Sequence, residues 1–170
     1  ATPGRHQSNG FRERAVRRVV VGTRALLEHA GLPACFWVFG VRCWCLGHNT
    51  DVNDGVSPWN KRHGQGNFVG PRFVFGSTVD FMPKPDVVRT MPKFEPRGTA
   101  GFMMGHYLQP GGKWSHEFLV FPRERFVDYD YDRPRGLDEL RPVRSKEVKC
   151  TDKVPQFMMK EGHGLARPCP

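Results

Sequence analysis

The chain has no long uninterrupted apolar run. Its longest, Leu32 to Leu46, is broken by Arg42 and falls short of the roughly 20 residues that cross a bilayer. The sequence is therefore read without a helical membrane span, and without a targeting segment. Cysteine is sparse: five residues, an odd number, with no paired C-x-x-C spacing. That pattern argues against the disulfide framework of a small secreted domain and fits reduced thiols in a nuclear or cytoplasmic setting. Gly64-Gln65-Gly66 has neither dinucleotide-loop nor Walker spacing, so no phosphate loop is read. Acid is scarce as well. Lys and Arg number 26 against 17 Asp and Glu, a formal net charge of +9. Residues 128–170 hold nine basic against eight acidic side chains, so nearly all the excess lies in residues 1–127. An acidic partner, nucleic acid first, is the expectation, although scattered Lys and Arg also simply keep a chain soluble.

What is present is ordered from the start. A polar turn around Ser8-Asn9-Gly10 leads into an amphipathic segment reaching Ala30. Ser8 and Asn9 are able to cap it, and Glu13 sits in its first turn. Val16, Val19, Val20, Leu26, Leu27 and Ala30 recur mostly at steps of three and four, the spacing of one buried helical face. Arg14, Arg17, Arg18 and Arg24 lie mainly off that stripe. Gly31 ends the helix and Pro33 prevents its return. Residues 33–46 read as a second helix, apolar nearly all round, which one neighbouring helix cannot cover. The rest of a catalytic core, or a partner subunit, is expected to cover residues 33–46. Gly40 either weakens this helix or marks close approach of its neighbour. Cys43, Cys45 and His48, with Cys35 or His29, raise a metal site, but helical positions 43 and 45 point about 200° apart, and buried free thiols are ordinary.

Residues 49–70 form a polar connection in which Ser57 caps a short turn begun by Pro58 and anchored by Trp59. From residue 71 the period changes to two. Residues 72–76, 78–82, 101–108, 114–121 and 125–129 read as short strands. Pro83, Pro85 and Pro92 keep the intervening stretch a loop. Gln109-Pro110-Gly111-Gly112-Lys113 is the clearest hairpin turn. Residues 130–170 lose the period, mix both charges and read as a linker or disordered tail.

Several short motifs in order resemble the integrase region of copia-type retrotransposon polyproteins. Gln7-Ser8-Asn9-Gly10-Phe11-Arg12-Glu13 is similar to the Q-x-x-G-x-x-E stretch that carries the third acid of DDE integrases. Leu32-Pro33-Ala34-Cys35-Phe36-Trp37 resembles L-P-x-x-F-W. Ser57-Pro58-Trp59 resembles a contracted T-P-x-x-x-W, and Arg72-Phe73-Val74-Phe75-Gly76 resembles L-R-V-F-G. The stretch from Lys93 to Tyr107 is similar to K-x-x-P-R-x-x-x-G-x-F-L-G-Y. The resemblance runs over residues 2–127. It implies an α+β chain: two N-terminal helices forming the tail of an RNase H-like integrase core (1–48), a connecting loop (49–70), a small SH3-like or open β-barrel module (71–129) and a disordered tail (130–170). It also implies DNA integration by strand transfer on Mg²⁺ or Mn²⁺, with Glu13 as one catalytic, metal-binding acid. DNA is the implied partner, gripped by Arg12, Arg14, Arg17, Arg18, Arg24, Lys93 and Arg97, in an oligomer. Hard divalent ions take oxygen ligands, which is why the chemistry needs acids. The family's first two acids lie upstream of the Glu13 stretch. Beginning at Ala1, the chain reads as a fragment or processed product, inactive alone. Without the resemblance, Glu13 is simply an i,i+4 partner for Arg17, worth a few tenths of a kcal/mol. On the same footing the chain is a non-catalytic nucleic-acid-binding module, or a structural subunit packing an apolar helix into a larger complex.

Overall fold

The computed structural model describes residues 10–126, 141–150 and 154–160. Its N-terminal helix α1 spans Gly10–Ala30. Gly31 adopts φ 67°. The Gly31 N–H donates to the Glu28 carbonyl at 3.2 Å and the Leu32 N–H to that of Leu27 at 3.0 Å. This pair of bonds is the Schellman stop that the glycine implies. The chain then makes one 3₁₀ turn, Ala34–Phe36, and enters helix α2, Trp37–Thr50. Ser57 Oγ accepts the Asn60 N–H and opens the short helix α3, Pro58–His63. The Ser57 N–H and hydroxyl both donate to Asn67 Oδ1 at 2.9 Å, which ties the whole connection down.

Five strands follow: β1 Thr78–Phe81, β2 Thr99–Leu108, β3 Trp114–Pro122, β4 Val143–Ser145 and β5 Val148–Lys149. They form one antiparallel sheet in the order β4-β3-β2-β1-β5. The β2–β3 hairpin is as its turn residues foretell, with the Gln109 N–H donating to the Lys113 carbonyl at 2.9 Å. The two edge strands are consecutive in the chain, separated only by Lys146 and Glu147. One segment therefore zips both edges, and the sheet curls into a half-barrel. Ser145 sits at the bend. Its hydroxyl lies 2.9 Å from the carbonyls of Met82 and Glu147.

The strand period sorts side chains to two faces. Phe102, Met104, Leu119 and Phe121 point to the helices, where they meet Leu27, Ala30, Leu32, Phe36 and Phe39. Met103, Phe118 and Val120 point into the curl with Val79 and Phe81. Phe121 receives the rings of Phe36 and Phe39 edge-on at 5.6 and 5.4 Å. Burying each such ring contributes about 1.5–3 kcal/mol. Gly40 does mark close helix approach: a Cβ there would lie 3.0 Å from Thr23 Cγ2 on α1.

Several sequence expectations are corrected. Within residues 33–46, α1 and the sheet cover Phe36 and Phe39, and Leu46 is buried as well, so the segment is not apolar surface all round; Trp37 stays exposed. Residues 72–76 are not a strand. Gly76 takes φ 75° and turns the chain, placing Phe75 among the helices and Phe73 against Phe118. The proline-bounded loop contains a short helix, α4, Pro85–Thr90, with Pro85 in its first turn. In place of an edge strand, Arg123–Phe126 forms a 3₁₀ turn that buries Phe126; residues 127–129 lie outside the described ones. The expected disordered tail is corrected in part. It supplies β4 and β5, and Met159 and Phe157 close the core beside His29. The rest of residues 130–170 lies outside the described ones.

Candidate nucleic-acid interface

Arg12, Arg14, Arg17 and Arg18, expected at a DNA interface, lie on the part of α1 that the core leaves free. Helix α1 has 21 residues and α2 has 14, about 32 and 21 Å at 1.5 Å per residue. The two run antiparallel, with Gly40 packed on Thr23 and Leu27 and Trp44 on Gly22. Helix α1 thus outruns its cover. Thr23, Leu27 and Ala30 are its buried residues. Val16 and Val20, expected in the buried stripe, are 62% and 43% exposed, because among the described residues no element packs over that half of α1.

On this free half Glu13, Arg12, Arg14, Arg17 and Arg18 are all exposed; Arg24 is exposed as well, but lies in the covered half, next to the buried Thr23. Glu13, Arg17, Val20 and Arg24 recur at helical spacing along one open face of α1, flanked by Arg12, Val16 and Val21. Among the described residues no ion pair joins Glu13 to Arg17. Arg14 Nε donates to the Gly10 carbonyl at 3.0 Å, tying one guanidinium to the helix start. Lys93 and Arg97 are exposed on another element, the loop between α4 and β2.

Glu13 alone does not make a two-ion centre. The next acid on α1 is Glu28, 15 residues on and about 22 Å along the axis. Among the described residues no group of three His, Cys, Asp or Glu side chains is placed to share an ion. Among the described residues Glu13 therefore has no second acid with which to share an ion, and no Mg²⁺- or Mn²⁺-dependent step is derived for this chain. Cys43, raised at first as a thiolate ligand, packs in the core under Gly105. Burial pushes its thiol up to about 11, away from the thiolate a metal requires.

A second concave site lies where α2 and α3 face the β2–β3 hairpin. Its volume is about 640 Å³. Arg42 and Cys45 line it from α2, Trp59, Arg62 and His63 from α3, and Tyr107 from β2. The Trp59 ring is braced by Phe68 at 5.3 Å and by His63 at 4.3 Å. The Arg62 guanidinium reaches over the hairpin turn, its Cζ 3.8 Å from where a Cβ on Gly112 would stand. Arg144 lies over the Tyr107 ring, 4.7 Å from its centroid. At the groove edge, His106 Nε2 donates to the Pro71 carbonyl at 2.8 Å. Burial, partly offset by that bond and reinforced by Arg72, lowers the His106 pKa and favours neutral imidazole.

Of the aromatic residues that interleave with basic ones in the β region, Phe73 and Trp114 are spent in the core, Phe94 is exposed and Tyr107 faces the groove. Arg72 is structural, bonding Asp51 and the Thr50 carbonyl. Sequence reading missed Arg42 and Arg62. The available signal was Arg42 itself, a cation inside the most apolar segment of the chain. Comparison of the chain with family models, curated proteins and solved structures finds no match.

Proposed function

We propose that this chain is the DNA-gripping part of an integrase-type strand transferase, holding duplex phosphates through α1 and performing no strand transfer by itself. The observation that carries the reading is the free half of α1. It presents several arginines beside one unpaired carboxylate, on a helix whose far end is locked into the core. Phosphate contacts position a nucleic acid without reading its sequence, and a rigid basic helix suits that task. The ordered motifs from Gln7 to Tyr107 support the integrase ancestry, and the curled sheet suits an SH3-like module. The RNase H-like reading of α1 and α2 is supported by the exposed apolar ridge of Val16 and Val20, which lie about 40° apart on the face that carries Glu13. On this reading the ridge, and not α2, receives the remainder of a catalytic core with its two further acids.

The test is DNA affinity against salt, measured by anisotropy of a labelled blunt duplex. Each phosphate contact contributes a slope of about −0.9 in log K against log salt. Replacing Arg17 and Arg18 by Gln is expected to flatten the slope by about 2. A salt-independent affinity, or a slope unchanged in that variant, refutes the phosphate grip. In a strand-transfer assay with Mg²⁺ the chain alone is expected to give no product. Product that disappears in Glu13→Gln would overturn the non-catalytic reading.

A further inference from the structure

We infer that the groove between α2, α3 and the β2–β3 hairpin is a binding site for one unpaired nucleotide, its base against the aromatic wall and its phosphate on Arg42 and Arg62. The volume, about 640 Å³, falls within the range of about 300–1,000 Å³ typical of small-ligand sites. Leu46, Trp59 and Tyr107 give the lining its apolar and aromatic part, and no Asp or Glu lines it. Both arginines are exposed, and neither forms an ion pair among the described residues. Two unmatched guanidiniums beside flat rings, with no acid to neutralise them, call for a ligand that is anionic at one end and flat and apolar at the other. A nucleotide has that division, because every base has a stacking face and every phosphate suits a guanidinium fork. A paired base does not, since its faces are already covered by its neighbours in the duplex. Trp59 is also held in place before any ligand arrives, its ring braced by Phe68 and His63, and the Arg62 guanidinium lies close over Gly112 of the hairpin turn. The groove shares no residue with the arginines of α1, so the two sites fail or succeed separately.

The same chemistry is offered by a free nucleotide and by a single strand, and two arms separate them. The first arm measures anisotropy of a labelled thymidine tract and of a blunt duplex, with the unaltered chain and with the double variant Arg42→Gln, Arg62→Gln. The variant is expected to lose about tenfold or more in affinity for the tract and none for the duplex. Arg17→Gln with Arg18→Gln is expected to weaken the duplex preferentially. The second arm titrates thymidine monophosphate into unaltered protein and follows the Trp59 indole N–H by NMR. A shift in that resonance, with displacement of the tract, identifies a free nucleotide or a strand end as sufficient. Displacement only by the tract identifies an internal nucleotide of a strand. An unchanged tract affinity in the Arg42, Arg62 variant overturns the site. So does a Trp59 resonance that neither ligand moves, or equal displacement by polyglutamate, which would reassign the groove to acidic chains.

Discussion

Replacing Gly76 with Ala tests whether the helices and the curled sheet share one core. Gly76 has φ 75°, which costs an L-residue about 1–2 kcal/mol. Its N–H donates to the Met103 carbonyl at 2.7 Å, so the turn is pinned to β2 and has little freedom to relax. A Cβ there would also run into the Cβ of Ala30, which is fully buried at the end of α1. A methyl group on a buried helix has no rotamer with which to step aside, and such overpacking costs about 1–3 kcal/mol. The sum, about 2–5 kcal/mol, is a large part of a small domain's stability. Gly55 supplies the control. It has φ 80° and nothing within 4 Å of the added methyl, so Gly55→Ala carries only the conformational cost.

Urea unfolding followed by tryptophan fluorescence and by far-UV circular dichroism reads both variants. A lower midpoint with unchanged slope is expected for each, larger for Gly76→Ala. Adding Ala30→Gly to Gly76→Ala should restore about 1–3 kcal/mol of coupling energy, since the two methyl groups then no longer compete for one space. Equal losses for Gly76→Ala and Gly55→Ala, or no coupling to Ala30, would mean that the end of α1 does not touch the sheet. Two separate unfolding transitions would say the same of the helical layer as a whole.

Three further outcomes follow from individual side chains. Ser57→Ala removes the cap of α3 and both donors to Asn67 can no longer act together; a loss of about 1–3 kcal/mol is expected by thermal unfolding, and a melting curve matching the parent would refute the role given to that loop. Cys43 should resist alkylation at pH 8 while exposed Cys150 reacts; because its folded pKa, about 11, lies above its ordinary 9.0, the stability it confers is present below pH 9 and lost as pH rises towards 11, a fall that Cys43→Ala should not show. His106 behaves in the opposite sense. Its folded pKa is below the ordinary 6.5, so its contribution is present above pH 6.5 and lost as pH falls through the folded value; an imidazole NMR titration with a midpoint above 6.5 would refute that.

The parts of the fold legible in the sequence are those set by neighbours along the chain. Gly31 before Pro33 stops α1, Ser57 before Pro58 starts α3, and Pro110-Gly111-Gly112 turns the hairpin. The parts that escaped depend on distant partners. Val143–Ser145 and Val148–Lys149 are too short to show a period and lie among charges. They become strands because β1 and β3 offer open edges on either side of Ser145. Arg72-Phe73-Val74-Phe75-Gly76 alternates as a strand does, yet Gly76 takes a positive φ and the two phenylalanines serve different cores. The valine stripe of α1 was visible, but its length said nothing of how far α2 would reach. The α1 arginines were legible because they cluster in sequence. The groove was not, because Arg42 and Arg62 sit 20 residues apart and come to line one groove only through the turn between α2 and α3.

That difference bears on how the two surfaces work. Helix α1 is fixed through Thr23, Leu27 and Ala30 and by the Gly31 stop, so its free turns are aimed by a buried anchor. A phosphate grip there needs direction and charge, and tolerates loss of any single arginine. The groove depends on two side chains from different helices facing one hairpin, and a shift of α3 would part them. Ser57, Asn60 and Asn67 hold α3 through bonds to Gly55 and Gly66, which makes that small polar network the support of the groove. Ser57→Ala should therefore weaken binding of the thymidine tract and leave the duplex slope intact. Equal weakening of both would mean that the variant acts through global stability, and that the groove is not separately supported.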